Sequence, residues 1–234
     1  MRPSIGSLIY LAHSSEPLPP AQEVLAETLA TLMTSIQTNA ALDESISLLL
    51  RMMATANDNK PRPELSSDVV LPLFGLLPSL ASSHPDPDIR LQVFRIMSLT
   101  LSLTPSLLRL QLLHELASNF DVPQMAVAAL SLVKEAVLNA LSERSQDVFA
   151  SPLLLRTFGP VIFLPRPLDF FSSHHSVQVL RESHELPRLS ECLSLYYILL
   201  ARDKYNLVSW ELISLILSDF LVRPASAAQR PSWM

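Results

Sequence analysis

Apolar residues along this chain recur mostly every third or fourth position, the spacing that lines one side of an α-helix. From Ala21 to about Thr38, Val24, Leu25, Leu29, Leu32 and Ile36 share one side, and Pro19 and Pro20 introduce the segment. Asp43 is expected to cap a second helix, to about Ala56, before the polar, proline-bearing stretch from Asn57 to Asp68. A third helix is expected from Ser67 to about Ala81, strained or broken at Pro72 and Pro78. Asp86 should cap a fourth, with Pro87 at its first position and Asp88 complementing the positive helix end. Thr104 with Pro105, and then Asp121, Val122 and Pro123, repeat this device for a fifth helix to about Ser118 and a sixth to about Leu141. The pattern weakens from Ser142 to Glu185, where a short helix near Val148 to Phe158 gives way to the irregular "GPVIFLPRPLDFFSSHH". Leu186 to Arg202 and Asn206 to Val222 read as a final pair, followed by a frayed tail at 223–234.

The first helices of successive pairs are thus placed near residues 21, 67, 105 and 186. The gaps are about 46 and 38 residues and then about twice 40, as though one degenerate pair lay in the weak region. Two helices per ~40–47 residues is the period of HEAT and armadillo arrays. The expected fold class is therefore all-α: a HEAT/armadillo-like α-solenoid of about four to five helical hairpins. It would fill residues 1–222 as one domain, with the weak repeat and irregular connector at 143–185. The fourth helix fits such a stack. Ile89, Val93, Ile96 and Thr100 form one apolar face, and Leu91, Phe94, Met97 and Leu101 a second. Burial on two faces is expected of a helix held between neighbouring repeats. Its opening, "PDPDIR", resembles the HEAT-repeat signature, so Arg90 should reach a carboxylate or carbonyl in the turn between the paired helices. An ordinary helix of a non-repeating bundle is the alternative.

Composition narrows the classes further. Hydrophobic residues are 49% and charged residues 17%, which excludes disorder by low hydrophobicity and high charge for most of the chain. A net charge of -5, with basic residues dispersed, argues against a duplex nucleic-acid binder. Three glycines against 19 prolines leave little material for β-hairpin turns, and no GxGxxG, Walker-type loop or GxSxG elbow can be assembled. Mean hydropathy is +0.30, yet the best spanning candidate, Cys192 to Ala201, is half the ~20 residues that a membrane span needs. No membrane span and no secretory leader are expected. A single cysteine cannot form an internal disulfide, which fits cytosol or nucleus.

Candidate chemistry is sparse, and no catalytic, cofactor-binding or metal site is assigned. Cys192, mid-helix, reads as a buried structural thiol. His174, His175 and His184 are the one histidine cluster, and they read as polar loop residues, with a metal site the alternative. Asp43/Glu44 and Asp86/Asp88 look like helix-end carboxylates. The stretch from Thr157 to Phe171 is apolar and irregular at once, either a partner- or ligand-lining loop or a connector packed by its own phenylalanines. "ARDKYN" reads as a solvated turn, with Arg202 and Lys204 suiting the helix end.

Two stretches, "MAVAALSLVKEAVLNAL" and "LSECLSLYYILLARDKYNL", resemble the fungal and animal family that contains glomulin and the yeast Yap-binding and kinetochore-associated proteins. "FASPLLLRTFGPVIFLPRPLDFF" between them is similar to the connector of fungal members. The resemblance covers about Asp68 to Leu221, and as members are much longer the chain looks like a carboxy-terminal portion. It implies a non-enzymatic, HEAT-like protein-binding scaffold in the cytoplasm or nucleus. The implied partner is a cullin–RING component, a transcription factor or a kinetochore subunit, with the binding residues unassigned. An all-α domain with a small-molecule or lipid pocket is the competing expectation.

Overall fold

A computed structural model of the chain describes residues 3–119, 122–143, 147–167, 170, 176–209 and 211–215. Among them there is no strand, and the helical expectation holds. The helices are α1 (Ile5–His13), α2 (Ala21–Gln37), α3 (Leu42–Asp58), α4 (Ser67–Ser83), α5 (Pro87–Ser102), α6 (Ser106–Ser118), α7 (Pro123–Glu143), α8 (Pro152–Ile162), α9 (Val177–Glu182) and α10 (Glu185–Arg202). A 3-10 turn, Val148–Ala150, precedes α8, and 211–215 is again helical. The chain divides into two compact units, Met1–Arg109 and Leu110–Met234, with the division falling inside α6.

In the first unit α2 packs on α3 and α4, α5 packs on α3 and α4, and α1 closes against α2 and α3. First helices therefore stack on first helices and second on second, the arrangement of a solenoid-like all-α fold. The shared core holds Leu25 and Leu32 of α2, Ile46, Leu49 and Met53 of α3, Leu73 and Leu77 of α4, and Val93, Ile96 and Met97 of α5. Polar rungs set the register. The Gln22 side-chain amide donates to Ser66 Oγ at 2.9 Å and accepts from the Ser66 backbone at 3.2 Å. Ser102 Oγ donates to Asn57 Oδ1 at 3.0 Å. These rungs join residues 44 and 45 apart.

In the second unit α7 packs on α10, and the 3-10 turn packs against both α7 and α8. His114 of α6 meets Phe158 of α8 edge-on, ring centres 5.9 Å apart. Three rungs tie α7 to α10. Gln124 Nε2 lies 3.2 Å from His184 Nε2, Ser131 Oγ donates to Glu191 at 3.2 Å, and Lys134 pairs with Glu191 and donates to Ser194 Oγ at 3.3 Å. The three hydrogen-bonded pairs Gln124–His184, Ser131–Glu191 and Lys134–Ser194 each span 60 residues, so α7 and α10 run parallel in one register.

Several expectations change. Ile89, Val93, Ile96 and Thr100 are buried as expected, and Met97 and Leu101 of the second face with them, but Leu91 is 67% exposed and Phe94 half-buried, so α5 has an outer side after all. Helix α4 runs unbroken through Pro72 and Pro78, because Val69, Val70, Leu73, Phe74 and Leu77 hold it against its neighbours while Pro72 faces out. Ala41, at φ 60°, is the residue that enters α3, and Asp43 sits in its first turn. The Thr104 hydroxyl caps nothing; it donates to the Thr100 carbonyl at 2.7 Å. The nine-residue α1 was unforeseen, although its reciprocal Ser4–Ser7 capping box is visible as two serines three apart. The first helices begin at 21, 67, 106 and 152, and α10 is a second helix, not a first. Asp121, His174, His175 and the tail at 223–234 lie outside the described residues, as do 210 and 216–222 of the helix expected at Asn206 to Val222, whose residues 206–209 form a turn and whose residues 211–215 are helical.

Candidate functional site

Glycine usually ends a helix by adopting a left-handed conformation. With three glycines, this chain ends several helices another way: arginines donate to carbonyls at or just past the helix end. Arg51 of α3 donates to Leu11 O and Ser14 O, both at 2.7 Å, at the end of α1. Arg90 reaches His84 O at 2.6 Å and Pro85 O at 3.1 Å, as its place in the turn predicts. Arg109 reaches Thr104 O at 2.9 Å.

The fullest version stands at the start of α10. Glu185 is its first residue and Arg188 its fourth, one turn apart on the inner side, with 7% and 4% of their surfaces exposed. Arg188 forks onto the Glu185 carboxylate through Nε at 2.7 Å and a terminal nitrogen at 2.6 Å. Its remaining donors reach Ile162 O and Leu164 O, each at 2.7 Å, where α8 ends and the connector begins. Glu185 also accepts the Arg166 backbone N–H at 2.8 Å. The Arg166 guanidinium donates to Ala117 O at 3.1 Å and Val161 O at 2.9 Å, joining the ends of α6 and α8. Burial, and then the neighbouring Arg188 charge, lower the proton affinity of Arg166. Cys192 donates its thiol to Ile162 O at 3.0 Å. Burial pushes that thiol up to about 12, against the pull of the Arg188 charge, so it stays protonated and unreactive at neutral pH.

A cleft of about 300 Å³ opens beside this node, lined by Asn119, Arg166, Glu182, His184, Glu185 and Arg188. Its buried charges are engaged with each other and with backbone carbonyls. Their chemistry is mechanical: they clamp the connector so that α8 and α10 hold their places.

The sequence-derived candidates fall around this node without forming a reactive centre. Cys192 is buried, as expected. His184 is exposed at the head of α10, and among the described residues no three His, Cys, Asp or Glu side chains converge on a metal position. Asp86 accepts from the Asp88 backbone at 2.8 Å, the capping role expected of it. The stretch from Thr157 to Phe171 is less irregular than expected, because α8 takes it as far as Ile162, and Phe158, Phe163 and Phe170 are buried. "ARDKYN" is only half solvated. Asp203, 1% exposed, accepts from the backbones of Leu207 and Val208 at 2.8 and 2.9 Å and so builds the turn. The Glu185–Arg188 pair went unread, though a carboxylate three residues before an arginine was its available signal.

The outer side of α10 contrasts with its base. Leu186, Leu193, Tyr197 and Leu200 are all exposed there, Leu193 by 63% and Tyr197 by 71%. Among the described residues, the helix long and apolar enough to cross a membrane is Pro123–Ser142 rather than the stretch around Cys192. Half of it is buried in the fold, as a core helix would be.

A family model described as "Uncharacterised protein family, YAP/Alf4/glomulin" matches residues 4–223. No curated protein matches the chain, and no solved structure does.

Proposed function

Because the chain belongs to the YAP/Alf4/glomulin family, we propose that it is a non-enzymatic scaffold that binds another protein through its stacked helices. The observation that carries this reading is the uncharged, exposed apolar side of α10, set on a helix whose base is clamped by the buried Glu185–Arg188 ion pair. Rigid helices with an uncovered apolar side suit recognition of a protein surface. The proposed partner classes are a cullin–RING component, a transcription factor or a kinetochore subunit, met in cytosol or nucleus. No cofactor, nucleic acid or membrane span enters the proposal, and α7 is taken as a core helix. Affinity purification of the tagged chain followed by mass spectrometry tests it. Recovery of one of these classes is expected; a monomer with no reproducible protein partner would overturn the reading.

The cleft at Arg166 and Arg188 supports one rival, a small-molecule or lipid pocket. Its size stands at the lower limit of the roughly 300–1,000 Å³ usual for ligand sites. A ligand retained in native mass spectrometry of freshly purified protein would favour the rival.

A further inference from the structure

Helix α7 begins at Pro123 and α10 at Glu185, so positions can be compared from each helix start. The α7 side chains that meet α10 are Gln124, Ser131 and Lys134, the second, ninth and twelfth of their helix. The same positions on α10 are Leu186, Leu193 and Tyr196. Leu186 and Leu193 are exposed, and Tyr197 and Leu200 extend them along one line. The side of α10 that corresponds to α7's stacking side is therefore uncovered, and it is apolar where α7 is polar. From Leu186 to Leu200 its exposed residues, which also include Pro187 and Ser190, carry no charge. Charge returns only at the ends. Arg181 and Glu182 are both exposed ahead of the helix and offset each other, while Arg202 and Lys204 are exposed at its close with Asp203 buried between them.

We infer that this side of α10 docks one amphipathic α-helix of a partner protein, laid parallel to α10 and carrying carboxylates in its last turn. Position and polarity follow from the α7–α10 stacking, which an added helix would repeat. Orientation follows from charge: in a parallel helix the carboxyl end, with its negative dipole and acidic side chains, lies beside Arg202 and Lys204. The inference deepens the protein-binding reading and rests on it, naming the surface and the chemistry of what covers it.

Fluorescence anisotropy of two labelled, stapled helical peptides against the full chain tests it. Both carry leucines on one side; one has its glutamates in the last turn, the other in the first. The first should bind more tightly. Leu193→Glu, a change at an exposed position, should weaken it by about tenfold or more, as loss of a central anchor does. Arg202→Glu should reverse the preference between the peptides and serves as the second variant. Equal binding of the two peptides, or indifference to Leu193→Glu, overturns the inference. So does a concentration-dependent dimer in sedimentation that Leu193→Glu abolishes, which would assign the surface to a second copy. A photo-crosslinker at Tyr197 that captures only the chain's own residues 216–234 would overturn it as well. A Leu193→Glu chain that still captures its protein partner in affinity purification would sink this surface while leaving the scaffold reading intact. Peptide binding with no partner recovered would do the reverse.

Discussion

Within each unit second helix stacks on second helix, but with different amounts of chain between them. In the first unit the rung between second helices joins residues 45 apart; in the second such rungs join residues 60 apart. The extra length lies inside one pair. Three residues, His84 to Asp86, connect α4 to α5, whereas 163–184 separate α8 from α10. Lengthening a loop costs little closure entropy, because that cost grows only with the logarithm of length. The demanding requirement is a partner for every backbone group that the longer connection buries. One device meets it in both units: Arg90 and Arg188 are each the fourth residue of their helix, and each donates to carbonyls of the connection before it. The longer connection adds Glu185 to hold its arginine and Arg166 to hold the neighbouring helix ends.

Removing the two clamps should not cost the same. Arg188→Ala leaves a buried carboxylate unpaired, and about 3–5 kcal/mol should be lost. Hydrogen-exchange mass spectrometry should place the loss in α8, α10 and the connector, with the first unit unaffected. Next comes alkaline pH. The folded Cys192 thiol sits at about 12 against an ordinary 9.0, so between these values the unfolded chain gives up its proton first. The thiol's contribution is full below pH 9.0 and fades as pH climbs toward 12; Cys192→Ala should flatten that decline in the second unit alone. Labelling by a disulfide reagent at neutral pH should need urea. Arg90→Ala, at a short and mostly exposed turn, should cost only about 1 kcal/mol. A cost equal to that of Arg188→Ala would break the comparison. Smallest, and opposite in sign, is Thr100→Val. The Thr100 hydroxyl is fully buried with no hydrogen-bond partner among the described residues, so its removal should stabilise α5 by about 1 kcal/mol, read as a higher melting temperature.

Much of the first unit was legible because its signals are local. Pro19–Pro20 and Asp86–Pro87 mark starts that the structure keeps, and Arg90 finds the carbonyls expected of it. What failed depended on packing. Periodicity finds two apolar sides on α5 but does not say which has a neighbour, so Leu91 was placed inside. Proline at Pro72 and Pro78 disfavours a helix locally, and burial of the opposite side overrides it. The second unit hid its regularity. Its first helices keep the spacing, with α8 starting at 152, but α8 is short and carries Pro160, so α10 was taken for the start of a pair. The Arg188 clamp reaches back to residues 24 and 26 positions earlier, a relation no short pattern encodes. The outer side of α10 was equally invisible, since an apolar stripe reads alike whether covered or bare.

The arginine clamps have a consequence for how such a chain could be altered. Where glycine ends a helix, the turn's shape and the helix end are one decision, and a changed loop disturbs both. At the ends of α1, α4 and α8 the ending is supplied from outside, by a side chain on a later helix, so loop length there is free of the spacing between layers. A longer connection ahead of α10 would thus keep its base at Arg166 and Arg188 and leave every rung from Gln124 to Ser194 in place.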